Sequence, residues 1–177
     1  MLLKQSFYRV LFVVPVEGAW SLDQVVEKLG ISYSTAKRYV KELIKLGFVD
    51  EVQVNRYKIT SKGLLFRSSI LGHLTKHLDK GQEYIFTEPT TSTPISLSIK
   101  NLHQLYVSIK YELVPWDVVK EHIKSGRLLN WIRDVLGDQE LYMKLSELRN
   151  SLSREEFLEI IENRLKIIES IRSLKVL

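Results

Sequence analysis

Residues 21–51, SLDQVVEKLGISYSTAKRYVKELIKLGFVDE, followed at 55–63 by NRYKITSKG, decide how the first part of the chain folds. Ser21 is an N-cap residue ahead of Leu22, Val25, Val26 and Leu29, which are spaced i, i+3, i+4, i+7 on one face of a short helix. Gly30 offers the left-handed residue that ends it. Ser32 is a second N-cap, and a longer helix is expected from about Tyr33 to Leu46. Its apolar face is Ala36, Val40, Leu43 and Ile44, and Gly47 stops it as Gly30 stopped the first. After Gly47 the period changes. Residues 48–54 and 56–60 carry β-branched and aromatic side chains in partial alternation, which predicts two strands. The turn between them falls at Gln53 to Arg56, with Asn55 suited to a positive φ.

Working outward, residues 3–15 read as a mostly apolar helix closed by Pro15, and Trp20 as a strand of one or two residues. Ser61-Lys62-Gly63 opens a further helix from Leu64 to about Leu78. Two capped helices joined by about three residues form a helix-turn-helix, and the hairpin followed by a helix adds a wing. In such an arrangement the second helix of the motif enters a DNA major groove and shows its N-terminal residues to base edges and phosphates. With the apolar face turned inward, Tyr33, Ser34, Lys37, Arg38 and Lys41 remain for the outer face. Arg38 suits a bidentate pair with guanine, while Lys37, Lys41 and Lys45 suit phosphates. Tyr33 and Ser34 offer hydroxyls, and either Ser34 or the methyl of Thr35 suits a thymine. In the wing, Gln53, Asn55 and Arg56 are placed to reach a flanking minor groove or the backbone.

The same stretch resembles winged helix-turn-helix transcriptional regulators of archaeal and bacterial type. "LGFV" after the second helix and "YKITSKG" after the wing carry the resemblance. It implies that Tyr33, Ser34, Lys37, Arg38 and Lys41 face bases and phosphates and that Arg56 belongs to the wing.

Residues 79–98 break the helical pattern. Tyr84-Ile85-Phe86 reads as a short strand, and EPTTSTP at 88–94 as loop or linker, so a domain boundary is expected within 79–95. Helices follow at about 99–113, 115–124, 127–136 and 139–149. A capping box at Ser153 and Glu156 then opens a last helix to about 174. Phe157, Ile161, Leu165, Ile168, Ile171 and Leu174 form a stripe along it, which either packs on its own domain or pairs with a second copy. Residues 84–150 are similar to a small archaeal and bacterial helical domain of unassigned function. The matching residues are His122, Trp131-Ile132, Val135-Leu136-Gly137-Asp138 and Leu141, whereas the family's Asp-Phe pair aligns with Arg127-Leu128. By themselves, Gly137-Asp138 read as a helix stop and the next N-cap, and Trp131 and Leu136 as core.

Charge separates the two parts. Of the 26 Lys and Arg, 11 lie in residues 1–75 with six acids, while the other 15 are matched by 15 acids in 76–177. The whole net charge of +5 therefore sits where the helix-turn-helix is, as expected if that end meets a polyanion. No cysteine is present, which excludes disulfides, thiolate metal sites and cysteine nucleophiles. No apolar run is long enough to span a bilayer and no cleavable leader is visible, so a cytoplasmic location is expected. The Lys/Glu/Ile/Val-rich composition suits a thermophilic archaeon.

His73 and His77 have metal-ligand spacing, but the intervening Leu-Thr-Lys lacks a zinc protease's Glu, and no third ligand is near in sequence. His103 and His122 have no nucleophile partner, and Asp134 and Asp138 straddle Gly137, as solvent-facing or capping residues would. No catalytic set, metal site or cofactor is expected.

The expectation is a mainly α protein with a small β-wing. It has a winged helix-turn-helix at 1–78, a linker or short strand region at 79–98 and a helical domain at 99–177 that dimerises or binds a protein partner. The functional reading is a sequence-specific double-stranded DNA-binding transcriptional regulator, working as a homodimer. The alternative is a winged-helix adaptor docking to protein within a larger assembly.

Overall fold

The computed structural model describes residues 5–75 and 78–174, and its chain divides into two compact units, residues 1–70 with 166–177 and residues 71–165. In the first unit a 3-10 turn, Ser6–Arg9, runs into one turn of α-helix, α1 (Val10–Val13), where a single longer helix was expected. The first two residues of that expected helix, Leu3 and Lys4, lie outside the described residues. α2 (Leu22–Leu29) and α3 (Tyr33–Lys45) follow, then strands β1 (Val49–Gln53) and β2 (Arg56–Ile59) and helix α4 (Ser61–Thr75). Trp20 pairs with Tyr57 through two backbone bonds of 2.9 Å, so it adds a one-residue third strand beside β2.

Each boundary has a local cause. The Ser21 N–H donates to Gln24 Oε1 (2.9 Å) at the start of α2, and Gly30 closes α2 at φ 63°. α3 starts where Ser32 Oγ accepts from the Thr35 N–H (3.3 Å). It ends at Gly47 (φ 73°), with the Phe48 N–H reaching back to Leu43 O at 2.9 Å. The wing is latched to α4 by Thr60, whose hydroxyl donates to Gly47 O (2.7 Å) and accepts from the Gly63 N–H (3.0 Å). At Gly63 a Cβ would stand 2.2 Å from Phe48 O and 2.7 Å from Ile59 Cγ2, so the crossing tolerates no side chain there. Phe48, Phe66 and Tyr8 stack around this junction, with centroids 4.9 Å apart for Phe48–Phe66 and Tyr8–Phe66.

In the second unit, β3 (Tyr84–Thr87) and β4 (Pro94–Ile99) form an antiparallel hairpin, followed by α5 (Leu102–Lys110), α6 (Trp116–Lys124), α7 (Arg127–Asp134), α8 (Gln139–Leu148) and α9 (Arg154–Arg172), whose residues from Lys166 on count with the first unit. The sequence reading missed β4. Its alternation, Ile95, Leu97 and Ile99 against Ser96 and Ser98, is short, starts with proline and follows a hydroxyl-rich turn that masks it. The capping box at Ser153 and Glu156 is formed, with Ser153 N–H to Glu156 Oε2 at 2.9 Å and Glu156 N–H to Ser153 Oγ at 3.2 Å. Phe157, Ile161, Ile168, Ile171 and Leu174 of the α9 stripe are buried within the single chain, which removes that stripe as a seam for a second copy.

His122, Trp131, Gly137 and Asp138 are fixings of this unit. His122 on α6 is buried and grips the hairpin, with Tyr84 Oη at 2.5 Å from Nδ1 and Thr87 O at 3.0 Å from Nε2. The Trp131 indole N–H donates to Gln82 O (2.8 Å). Gly137 has φ 74°, and Asp138 N-caps α8 by accepting from the Leu141 N–H (2.9 Å). The Asp138 carboxylate is fully buried and also meets His73 Nε2 (2.7 Å) and Arg164 Nε (3.2 Å), while Arg164 pairs with Glu140 as well. Burial alone would raise the Asp138 pKa, but Arg164, His73 and the Leu141 N–H outweigh it and hold the carboxyl below its ordinary range. Asp134 is exposed and paired with Arg133 (2.7 Å). His77 lies outside the described residues, and His73 is spent on Asp138.

Two outcomes follow from this packing. Gly63→Ala should lower the unfolding free energy by about 1–3 kcal/mol in urea titrations, because Phe48 O belongs to the backbone and cannot move aside cheaply. Burial lowers the His122 pKa, so the unfolded chain takes up a proton at a higher pH than the folded one does. Its contribution to stability is complete above the ordinary histidine value of about 6.5 and is lost as pH falls below it. His122→Gln should be less stable at neutral pH and should show a shallower acid slope than the parent. Equal slopes for parent and variant would contradict this.

Candidate nucleic-acid interface

α3 is amphipathic, and its packing sorts its residues onto two faces. Ala36, Tyr39, Val40 and Leu43 are buried. Tyr39 takes the inward place expected of Ile44, which is 36% exposed near the helix end. The other face carries Ser34, Lys37, Lys41 and Lys45 in steps of three and four, with Arg38 three residues before Lys41, and all are exposed. Tyr33 is 46% exposed at the first turn. Thr35 is half-buried and differs from its neighbours, since its hydroxyl accepts from Ser32 Oγ (2.9 Å) and serves the cap.

The cations on this stripe are not equally available. Lys45 Nζ pairs with Glu42 (2.8 Å) one turn back along the helix. Among the described residues, Lys37, Arg38 and Lys41 make no ion pair, and the Arg38 guanidinium lies 5.6 Å from the centroid of the neighbouring Tyr39 ring. Three unpaired positive charges on one face leave a field that an anionic surface would neutralise, and a helix N-terminus at the same end adds partial positive charge.

The wing presents Gln53 and Arg56 as its last registered pair, with Asn55 at the turn in the left-handed region (φ 59°) and its N–H on Glu51 Oε1 (3.1 Å). All three are exposed. Along β2 exposure alternates, so Lys58 lies on the same outer face as Arg56 while Tyr57 and Ile59 are buried. The sequence reading passed over Lys58, although the alternation Arg-Tyr-Lys-Ile carried the signal. Tyr57 joins wing and helix: burial first, then the charge of Glu51 and the phenol of Tyr33, raise its pKa. Lys62 is withdrawn from the charged face by donating to Leu46 O (2.9 Å).

The exposed cations contribute little to folding. Ala replacements of Lys37, Arg38 or Lys41 should leave stability within about 0.5 kcal/mol of the parent. Ser32→Ala removes the cap and should cost about 1 kcal/mol. Thermal or urea unfolding of the four variants checks the contrast.

No helix among the described residues is long and apolar enough to cross a membrane, and no group of three or more metal-ligating side chains is found among them. No curated protein and no solved structure matched the chain. Residues 16–76, from before α2 through the wing and α4, match the winged helix-turn-helix family model, and this part of the chain is a winged helix-turn-helix domain.

Proposed function

We propose that this protein binds double-stranded DNA sequence-specifically and regulates transcription in the cytoplasm. α3 enters the major groove, Arg38 pairs with a base edge, and Lys37, Lys41 and Lys45 hold phosphates. Tyr33, Ser34 and Thr35 line the helix start, and Gln53, Asn55 and Arg56 bring the wing to the flanking minor groove or backbone. The observation that carries this reading is the unpaired stripe of Lys37, Arg38 and Lys41 on the outer face of α3, within a family fold that presents that helix. A homodimer would set two such helices on two half-sites, in keeping with the two-fold symmetry of many operators.

One observation favours a protein-docking adaptor instead: Val54 is 87% exposed at the wing tip and Val52 is 49% exposed beside it, apolar surface that a protein partner would cover.

The two readings part on variants. After selection of a preferred site from a random pool, Arg38→Ala should cost about 1–3 kcal/mol on that site and relax the preference. Lys41→Ala should weaken preferred and random duplexes alike and reduce the salt slope by about one. Equal losses on both duplexes for both variants would contradict base reading by Arg38. Selection that enriches no sequence would contradict specific recognition.

A further inference from the structure

The wing ends in a two-residue turn, Val54-Asn55, between the paired Gln53 and Arg56. Val54 is 87% exposed there, the most exposed of the large apolar side chains among the described residues. The ladder shifts register between Glu51 and Gln53, and a bulge at that place bends the strand just below the tip. Asn55 has a φ of 59°, and its N–H is bonded to Glu51 Oε1 at 3.1 Å, which holds the turn.

The neighbours of the valine decide what covers it. Residues 52–56, Val-Gln-Val-Asn-Arg, carry a single charge, that of Arg56, which makes no ion pair among the described residues. The nearest acid, Glu51, has its carboxylate turned onto the Asn55 N–H. On either side of Val54 stand the side-chain amides of Gln53 and Asn55, both exposed. A cation, two amides and an apolar tip complement a DNA minor groove, which has phosphates along its walls and the acceptors adenine N3 and thymine O2 on its floor. That groove is about 6 Å wide, too narrow for a two-stranded ribbon but open to the side chains of a tip. The tip also belongs to the same domain as the basic face of α3.

We infer that Val54 is a specificity residue, which enters the minor groove beside the α3 site and selects A·T pairs there by exclusion. The inference rests on the DNA-binding reading above and chooses the groove for the wing. A G·C pair sets the guanine N2 amino group on the floor of the groove. There it would meet the valine methyls, which offer no acceptor, and would lose its bond to water. A·T and T·A present the same acceptors, so the valine does not tell them apart, and the amides of Gln53 and Asn55 donate to either.

Inosine gives the test, because an I·C pair matches G·C in the acceptors of the major groove and lacks the amino group in the minor. After selection of the preferred site, each A·T pair flanking it is replaced in turn by G·C and by I·C, and the full chain is titrated by fluorescence anisotropy. At one or more flanking pairs G·C should weaken parent binding roughly fivefold or more, and I·C should bind as A·T does. Val54→Ala should lose most of that discrimination while keeping the parent's circular dichroism spectrum and melting temperature, since the residue is exposed. I·C as weak as G·C would place the discrimination in the major groove and overturn the inference. A G·C penalty that survives in Val54→Ala would assign it to DNA shape and overturn the role of the valine. Flanks without A·T preference, in a parent that binds its selected site, would overturn the inference, leave DNA recognition standing and leave the valine to a protein partner. A parent that binds no duplex would overturn both.

Discussion

The crossing of Gly63 against Phe48 O, locked by the Thr60 hydroxyl between Gly47 O and the Gly63 N–H, is the constraint on which the reading head depends. It ties together three things that would otherwise move separately: the end of α3, the base of the wing and the start of α4. Gly47 must adopt a positive φ for the chain to leave α3 and enter β1, and Thr60 holds the carbonyl of that same residue. With the junction fixed, the buried Ala36, Tyr39, Val40 and Leu43 set the rotation of α3 about its axis. The direction in which Lys37, Arg38 and Lys41 project is therefore a consequence of packing, while their charge costs the fold little.

The first unit was readable because its signals are local. Ser32, Gly30 and Gly47 mark helix ends within a residue or two, and the switch from a period of 3.6 to one of two marks the wing. The inward place of Tyr39 was not readable from apolarity alone, since a tyrosine on a basic helix passes for a polar residue until its ring is seen to be covered. The outer-face residues followed from the inner ones, and so were legible as positions. Lys45 meets Glu42 within its own helix, a spacing the sequence shows, whereas Lys62 is spent on Leu46 O, which only the folded backbone brings near.

The second unit was legible in its helices and obscure in its fixings. Asp138 meets His73 from 65 residues earlier in the chain, and no periodicity announces so distant a pair. His122, Trp131, Gly137 and Asp138 have the look of a site, yet the structure uses them to grip a hairpin and to turn from α7 into α8. A buried carboxylate with a histidine and an arginine is costly to desolvate and specific in geometry, and its role here is to define one arrangement of helices. The hairpin was half missed because β4 is short, opens with Pro94 and follows a hydroxyl-rich turn.

The central claim is that the basic outer face of α3 meets DNA. The most direct measurement is a fluorescence-anisotropy titration of the full chain against a random duplex of about 30 base pairs, roughly three helical turns, at two salt concentrations. The account predicts binding at low salt that falls steeply as salt rises, each phosphate held by Lys37, Lys41 or Lys45 adding about 0.9 to the slope of log K against log salt. Absence of binding at low salt, or binding that salt leaves unchanged, would contradict it.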